Sequence, residues 1–260
     1  MKVLPFPVST NILINTLVLL WTFLSPSTAS AERQIVVSAA ASLTQAFEAL
    51  GEAFEREHPG VSLVFNFASS GSLLRQIDMG APVDVFASAD TFTMDGAENK
   101  GLIRPETRQN FAGNSLVLVV PQPPAVPVNG IEDFLEAGVT RMALGHPETV
   151  PAGRYARDVL QEQELWKPLI PKHIYGQSVR QVLDYIVRGE VDGGIVYRTD
   201  ALLQGTKVTV CQALGSPGLV DYPIAVVKGS GEEETALTFI AYLRSRAGCT
   251  IFTEYGFECR

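Results

Sequence analysis

The chain has few of the residues that catalysis and metal binding use most often. It contains three histidines, His58, His146 and His173, and three cysteines. A serine nucleophile needs an activating base, and no G-x-S-x-G segment is present. Histidine and cysteine clusters with metal-ligand spacing are absent, as are the glycine patterns of nucleotide-binding loops. We therefore expect no catalytic residues, no cofactor and no site for a free cation.

Long apolar runs are also scarce, and the one near the N-terminus is typical of a secretory signal. Ile12 to Leu24 is apolar but too short to span a membrane as a mature helix. Lys2 precedes it, and Ala29-Ser30-Ala31 follows as a small-x-small cleavage site. We predict a signal peptide over residues 1–31 and no lipid anchor, because no cysteine lies near the cleavage point. The mature protein is then expected to be soluble and exported.

Charge is sparse, at 18% of residues, and its balance is acidic. The formal net charge is −8, and it becomes one unit more negative when Lys2 leaves with the signal peptide. An acidic surface disfavours nucleic acid and anionic membranes as partners. Apolar residues make up 46% of the chain, which is ample for one large or two small domains.

The three cysteines, Cys211, Cys249 and Cys259, would reach a compartment that permits disulfides. The pair Cys249–Cys259 is preferred, since it would tie the tail to the last helix. The spacing does not fix the pairing, and one thiol is left over in any case.

Apolar strands alternate with amphipathic helices from Gln34 onward, which predicts an α/β fold with a parallel or mostly parallel sheet. A long strand from Leu116 to Val120, followed by a proline-rich loop, indicates a crossing into a second lobe. Tyr222 to Val227 reads as the returning strand. We predict a first lobe of residues 32–114 plus 222–260, a second lobe of residues 115–221, and a cleft between them.

Strand-to-helix turns would line this cleft, because ligands of open α/β sheets bind beyond the carboxyl ends of the strands. Ser42 is predicted to cap the first helix, with Gln45 completing a capping box. Four turns of this kind offer free backbone N–H groups, and three of them add hydroxyl groups. The turns are Ala41-Ser42, Ser69-Ser70, Pro151-Ala152 and Ser178-Val179.

These turns supply hydrogen-bond donors and no carboxylate, and Tyr197 could add a phenol from the second lobe. A ligand that keeps a proton near neutral pH, such as phosphate, would meet no evident acceptor. A fully deprotonated tetrahedral dianion would have every oxygen met by a donor. The pattern therefore favours molybdate, tungstate or sulfate. His146 lies in the loop GHPETVPAG near the expected cleft, where a role in the turn is the preferred interpretation.

Seven segments resemble, in order and over nearly the whole mature chain, the periplasmic molybdate-binding proteins of ABC transporters. They are AAASL (39–43), FASSGSL (67–73), GAPVDVFASAD (80–90), GNSLVLV (113–119), PETVPAG (147–153), GIVYRTDA (194–201) and YPIAVV (222–227). The resemblance implies a two-lobed, type II periplasmic binding fold that closes over molybdate or tungstate. His146 departs from the family, which has Asp before the Pro-Glu pair.

The resemblance also implies which residues contact the ligand. Ser42 and Ser70 would use hydroxyl and backbone N–H groups, Ala152 and Val179 backbone N–H groups, and Tyr197 its phenol. Molybdenum would be bound only as molybdate by these five residues. The expected partners are an inner-membrane ABC permease and its cytoplasmic ATPase, and the receptor would be a periplasmic monomer without membrane insertion.

Three other functions remain open from the sequence. A receptor for sulfate or another tetrahedral oxyanion would have the same fold and donors. A serine-dependent enzyme is disfavoured by the missing base, and a regulatory sensor domain by the signal peptide and the lack of a DNA-binding segment.

Overall fold

The strands of the protein form two separate sheets. The computed structural model describes residues 1–4, 33–215 and 220–260, so the predicted signal peptide lies outside the described residues from residue 5 onward. The strands within these ranges are β1 (Arg33–Ala40), β2 (Val61–Ala68), β3 (Val85–Ala87), β4 (Gln109–Asn114), β5 (Leu116–Pro121), β6 (Met142–Gly145), β7 (His173–Gly176), β8 (Gly193–Tyr197), β9 (Val208–Leu214), β10 (Val220–Val226) and β11 (Glu258–Cys259).

Helices connect most of these strands. Within the described ranges they are α1 (Thr44–Glu57), α2 (Ser70–Asp78), α3 (Thr91–Asn99), α4 (Pro151–Glu162), α5 (Trp166–Leu169), α6 (Val179–Val187), α7 (Arg198–Gln204), α8 (Glu233–Leu243) and α9 (Arg246–Glu254). No helix in this part of the chain combines the length and the apolar character needed to cross a membrane.

The first sheet has the strand order β11-β4-β10-β3-β1-β2, and the second has the order β7-β6-β8-β5-β9. β1 lies parallel to β2 and β3, and β6 lies parallel to β7 and β8. Strand β10 is antiparallel to β3 and β4, and β5 is antiparallel to β8 and β9. The predicted α/β fold with two strand-bearing parts is confirmed.

The prediction of a parallel or mostly parallel sheet is wrong, because both sheets are mixed. The chain enters the second sheet through β5 and returns to the first sheet through β10, and these two strands are antiparallel to their neighbours. Only Ser115 separates β4 from β5, so there is no crossover helix to bring the chain back in the parallel direction.

Phenylalanine side chains fix α1 against the first sheet. The Phe47 ring lies 5.8 Å from that of Phe111, 6.0 Å from that of Phe65 and 6.1 Å from those of Phe239 and Phe252, at steep angles that suit aromatic packing. Phe47 is completely buried. The turn that joins β1 to α1 is therefore held by a rigid core.

The predicted disulfide is present between Cys249 in α9 and Cys259 in β11, with the Cα atoms 5.4 Å apart. β11 pairs with β4, so the disulfide fastens the C-terminal strand to the edge of the first sheet. Cys211 is a free, half-buried thiol whose Sγ lies 3.1 Å from the Val128 carbonyl oxygen.

We expect replacement of both Cys249 and Cys259 by serine to lower the free energy of unfolding by about 2–3 kcal/mol, because the disulfide closes a short loop in the unfolded chain. Urea unfolding followed by circular dichroism measures the change. Cys211→Ser is the control, and equal losses in the two variants would contradict a stabilising role for the disulfide.

Candidate functional site

Four turns from the two sheets meet around one small cavity. Its volume is about 10 Å³, room for about one water molecule. This is far below the roughly 300–1,000 Å³ typical of sites for drug-sized organic ligands, so the space suits only a small ion. Its walls are formed by Ala40, Ala41, Ser42, Ser69, Ser70, Ala89, Val150, Pro151, Ala152, Val179 and Tyr197.

Helix starts surround this cavity. Helix α2 begins at Ser70, α4 begins at Pro151 and α6 begins at Val179, while a single 3-10 turn (Ala41–Leu43) precedes α1. Pro151 is the first residue of its helix, where a missing N–H group has no consequence. Each helix start presents unpaired N–H groups and roughly +0.5 of a charge, so four together provide about +2.

The structure brings together all five of the residues that the sequence singled out. Ser42, Ser70, Ala152, Val179 and Tyr197 line the same cavity, and each is at least 95% buried. Val179 follows Ser178, which caps α6 by accepting a hydrogen bond from Gln181 N. The geometry thus provides one shared space for the donors that the turns were expected to offer.

The prediction that Ser42 caps the first helix is wrong. Ser42 lies inside the 3-10 turn, and Leu43 occupies the N-cap position of α1 without a side-chain hydrogen bond. The Ser42 hydroxyl instead lies 3.1 Å from the hydroxyl of Tyr222, which is distant in sequence. Gln45 completes no capping box, since its side-chain oxygen accepts a hydrogen bond from Arg180.

A chain of hydrogen bonds leads from the backbone at Ser115 to the Ser42 hydroxyl. Asn114 Oδ1 accepts from the backbone N–H of Ser115 at 2.9 Å, which places the Asn114 NH₂ group on the opposite side. That group donates to Thr199 Oγ1 at 2.9 Å and to Tyr222 Oη at 3.2 Å. Because Tyr222 Oη accepts there, its own proton is available for Ser42 Oγ. The Ser42 proton is then free to be donated into the cavity.

Ser70 and Tyr197 are arranged as donors in a similar way. Ser70 Oγ accepts a hydrogen bond from the backbone N–H of Ala89 at 3.0 Å, so its proton is not used there. The Tyr197 hydroxyl is 3.5 Å from the Ala89 carbonyl oxygen, which is a weak contact that a ligand could replace. Burial raises the pKa of Tyr197 well above its ordinary value, so its hydroxyl keeps its proton.

Formal charges lie behind the cavity wall rather than on it. None of the described residues that line the cavity is charged. Arg154 pairs with the buried Asp90, which also caps α3 through Thr93 N. Arg180 Nε lies 3.2 Å from the buried carboxylate of Asp200. Burial raises the pKa of Asp200 to about 6, and the nearby Arg180 opposes that shift.

The histidines lie outside this cavity. His58 ends α1, with Nδ1 2.9 Å from the Phe54 carbonyl oxygen. His146 accepts a hydrogen bond from Glu148 N at Nδ1, in the turn that leads to α4. His173 is the first residue of β7, and burial lowers its pKa to about 4. Within the described ranges no cluster of acidic, histidine or cysteine side chains could hold a metal ion.

A larger cavity, of about 420 Å³, lies near the start of β3, beside Val83 and Asp84. Asp84 is already engaged, since it accepts hydrogen bonds from Val36 N at 2.8 Å and from the Ser230 hydroxyl at 2.6 Å. No helix within the described ranges begins among its lining residues, unlike those of the smaller cavity. Size alone therefore does not make it the better candidate site.

Sequence reasoning missed the residues that support the lining. Arg154 and Arg180 each lie in the first turn of a helix, where the helix dipole disfavours a cation. Because this placement is unfavourable, the sequence could have been used to predict that each arginine has a specific partner. The roles of Tyr222 and Asn114 had no comparable signal, because their contacts join segments far apart in the sequence.

Comparison with known proteins places these features in a family. Residues 35–258 match the family described as bacterial extracellular solute-binding proteins. The molybdate-binding protein ModA of Escherichia coli is 42% identical over 236 residues, which cover 88% of this chain and 90% of that protein. A relative from Bacillus subtilis, provisionally named ABC transporter substrate-binding lipoprotein YvgL, is 37% identical over 86% of this chain and 85% of its own length.

A solved structure has the same fold. The periplasmic molybdate-binding protein of Azotobacter vinelandii superposes with a TM-score of 0.74 at 23% identity, covering 86% of this chain and 98% of that one. The match supports the two-lobed architecture.

Replacement of Tyr222 by phenylalanine tests the hydrogen-bond chain to Ser42. We expect the free energy of unfolding to fall by about 1–3 kcal/mol, because Ser42 loses its donor and the buried Asn114 amide loses an acceptor. Urea unfolding of the ligand-free protein gives the value. Tyr185→Phe is the matched control, since the Tyr185 hydroxyl makes no hydrogen bond with the described residues, and similar stability in both variants would contradict the chain.

Proposed function

The chain belongs to the family of bacterial extracellular solute-binding proteins, and we propose that it captures molybdate in the small cavity and delivers it to an ABC transporter for import. The cavity itself carries the proposal, since it combines four helix starts with hydroxyl donors and no charged lining residue. The ModA relative, named for molybdate binding, supports the choice of ligand.

The proposed contacts are those of the lining donors. Ser42 and Ser70 bind through hydroxyl and backbone N–H groups, Ala152 and Val179 through backbone N–H groups, and Tyr197 through its phenol. A doubly charged anion is stabilised because each oxygen meets a donor and the helix starts supply partial positive charge. Molybdate is the transported ligand, not a cofactor, and no covalent step occurs.

The donor arrangement also selects against ligands that carry a proton. The Ser70 oxygen already accepts a hydrogen bond from Ala89 N, and the Ser42 oxygen lies 3.1 Å from the Tyr222 hydroxyl, whose proton is directed at it when Tyr222 accepts from Asn114. A hydrogen phosphate ion would bring an extra donor into a space whose polar groups are directed as donors. An unsatisfied buried donor is unfavourable by about 1–3 kcal/mol. The site therefore suits molybdate and tungstate better than phosphate.

Transport rather than catalysis follows from the same site. The hydroxyls of Ser42 and Ser70 contact Tyr222 and Ala89, and no histidine among the described residues lies within hydrogen-bond distance of either. A serine-dependent reaction needs such a base. The Bacillus relative is named for substrate binding in an ABC transporter, and the Escherichia coli relative for molybdate binding.

The proposed lobes are residues 32–114 plus 222–260 and residues 115–221. Strands of the second sheet all fall between Leu116 and Leu214, and those of the first fall outside this interval, which supports these boundaries. An anion that bridges both lobes favours the closed arrangement through contacts that an open cleft would lack.

We place the receptor in the periplasm, exported by the predicted signal peptide of residues 1–31. Its proposed partners are an inner-membrane permease and a cytoplasmic ATPase, and it acts as a monomer. The Bacillus relative is named a lipoprotein, whereas the sequence here has no cysteine near the expected cleavage point. We therefore propose a form without a lipid anchor.

Titration of the ligand-stripped protein with a panel of anions tests the proposed function. We expect tight one-to-one binding of molybdate and tungstate, with sulfate and phosphate silent, because the fixed donors suit the longer metal–oxygen bonds better than the shorter bonds of sulfate, and their direction disfavours a protonated phosphate. Isothermal titration calorimetry gives affinity and stoichiometry. Tight sulfate binding would favour the alternative of a general tetrahedral-oxyanion receptor, and no binding of any anion would overturn the proposal.

A pair of adjacent serines tests the assignment of individual donors. Ser70→Ala should weaken molybdate binding by about 1.5–3 kcal/mol, since it removes a hydrogen bond to a charged ligand. Ser69→Ala is the matched control, because the Ser69 hydroxyl donates to Ser72 Oγ at 2.8 Å instead. Equal effects of the two variants in calorimetry would contradict the proposed contact.

A further inference from the structure

Arg180 joins the two sides of the cavity without lining it. It is the second residue of α6, directly after Val179, and its helix packs against the second sheet. Its side chain is 20% exposed. A cation in the first turn of a helix opposes the helix dipole, so its position there requires compensating contacts.

Those contacts lie on the first sheet's side of the cavity. Arg180 Nε donates to the Ala41 carbonyl oxygen at 3.1 Å, and Nη2 donates to the Ser42 carbonyl oxygen at 3.1 Å. Nη2 also donates to Gln45 Oε1 at 2.8 Å. One planar guanidinium group thus binds three acceptors in the segment that follows β1, which a lysine ammonium could not span in the same way.

Asp200 balances the charge of this arrangement. Its carboxylate is fully buried, with Oδ1 3.2 Å from Arg180 Nε. The single Nε proton is directed at Ala41, so Asp200 acts on Arg180 as an ion-pair partner rather than as a hydrogen-bond acceptor. The net result is a guanidinium fixed in place and largely neutralised, which leaves the uncharged character of the cavity intact.

Arg180 acts on the same peptide groups that face the ligand. The Ala41 carbonyl and the Ser42 N–H belong to one peptide unit, so a charged donor on that carbonyl strengthens the N–H as a donor. Val179, which supplies the opposing N–H, is the neighbour of Arg180 in the chain. One side chain therefore fixes the spacing between donors from opposite sides of the cavity.

We propose that Arg180 is a positioning residue that holds the two sides of the site together and thereby sets the lifetime of the bound anion. The inference rests on the proposed binding of molybdate in this cavity. The contacts of Arg180 require both sides to be in place, so they form as the cleft closes and must break before the ligand can leave. Loss of Arg180 should accelerate release far more than it slows capture.

Exchange kinetics provide the test, with radiolabelled molybdate on the loaded protein and an excess of unlabelled molybdate as the chase. In Arg180→Ala, we expect dissociation to be faster by about ten- to a hundredfold, as for the loss of one or two hydrogen bonds from a charged donor. The association rate should change by less than about threefold, because most affinity differences between related complexes lie in dissociation. Arg180→Lys should restore only part of the lifetime.

Three further variants separate positioning from general stability. Arg188→Ala removes an exposed arginine at the end of the same helix and should leave both rates unchanged. Arg180→Ala leaves Asp200 as an unpaired buried charge. If this single variant does not fold, the double variant with Arg180→Ala and Asp200→Asn is compared with Asp200→Asn alone, and the test stays valid.

The outcomes distinguish this inference from the function on which it rests. Unchanged dissociation in the Arg180 variants, with only a lower melting temperature, would overturn the positioning role while leaving molybdate binding intact. Faster dissociation in Arg188→Ala as well would also overturn it. If the unaltered protein binds no molybdate, the proposed function fails, and this inference fails with it.

Discussion

The structure depends on the requirement that a buried anion be met by donors on every side. Removing an ion from water is costly, and an excess of fixed positive charge would itself need to be balanced inside the protein. Four helix starts and three hydroxyls provide polarity without formal charge. The alternating strands and helices thus also direct these helix starts at one point.

Hydrogen-bond direction is as important here as hydrogen-bond number. A serine hydroxyl can donate or accept, so its presence alone does not make a site selective. The backbone N–H of Ser115 fixes the amide of Asn114, the amide orients Tyr222, and Tyr222 orients Ser42. The orientation of the Ser42 hydroxyl therefore follows, through two side chains, from a backbone N–H group that can only donate.

Charged pairs form a second layer around this neutral cavity. Arg154 with Asp90 and Arg180 with Asp200 lie behind the lining residues, and each arginine stands in the first turn of a cavity helix. Because these full charges lie behind the lining residues, they do not compete with the ligand. They hold the surrounding segments in place. The chain can be acidic overall and still bind an anion, because the proposed site depends on local donors rather than on net charge.

The sequence by itself determined the alternation of strands and helices and the turns from which Ser42, Ser70, Ala152 and Val179 line the cavity, because turn chemistry and helix starts are local properties. It did not determine the mixed sheets, which arise because β5 and β10 enter each sheet directly from the other. The sequence suggested Ser42 as a cap, but the folded chain offers it Tyr222 from a distant strand. Only tertiary structure could decide that partner, since hydrogen bonds between remote segments depend on how the two sheets come together.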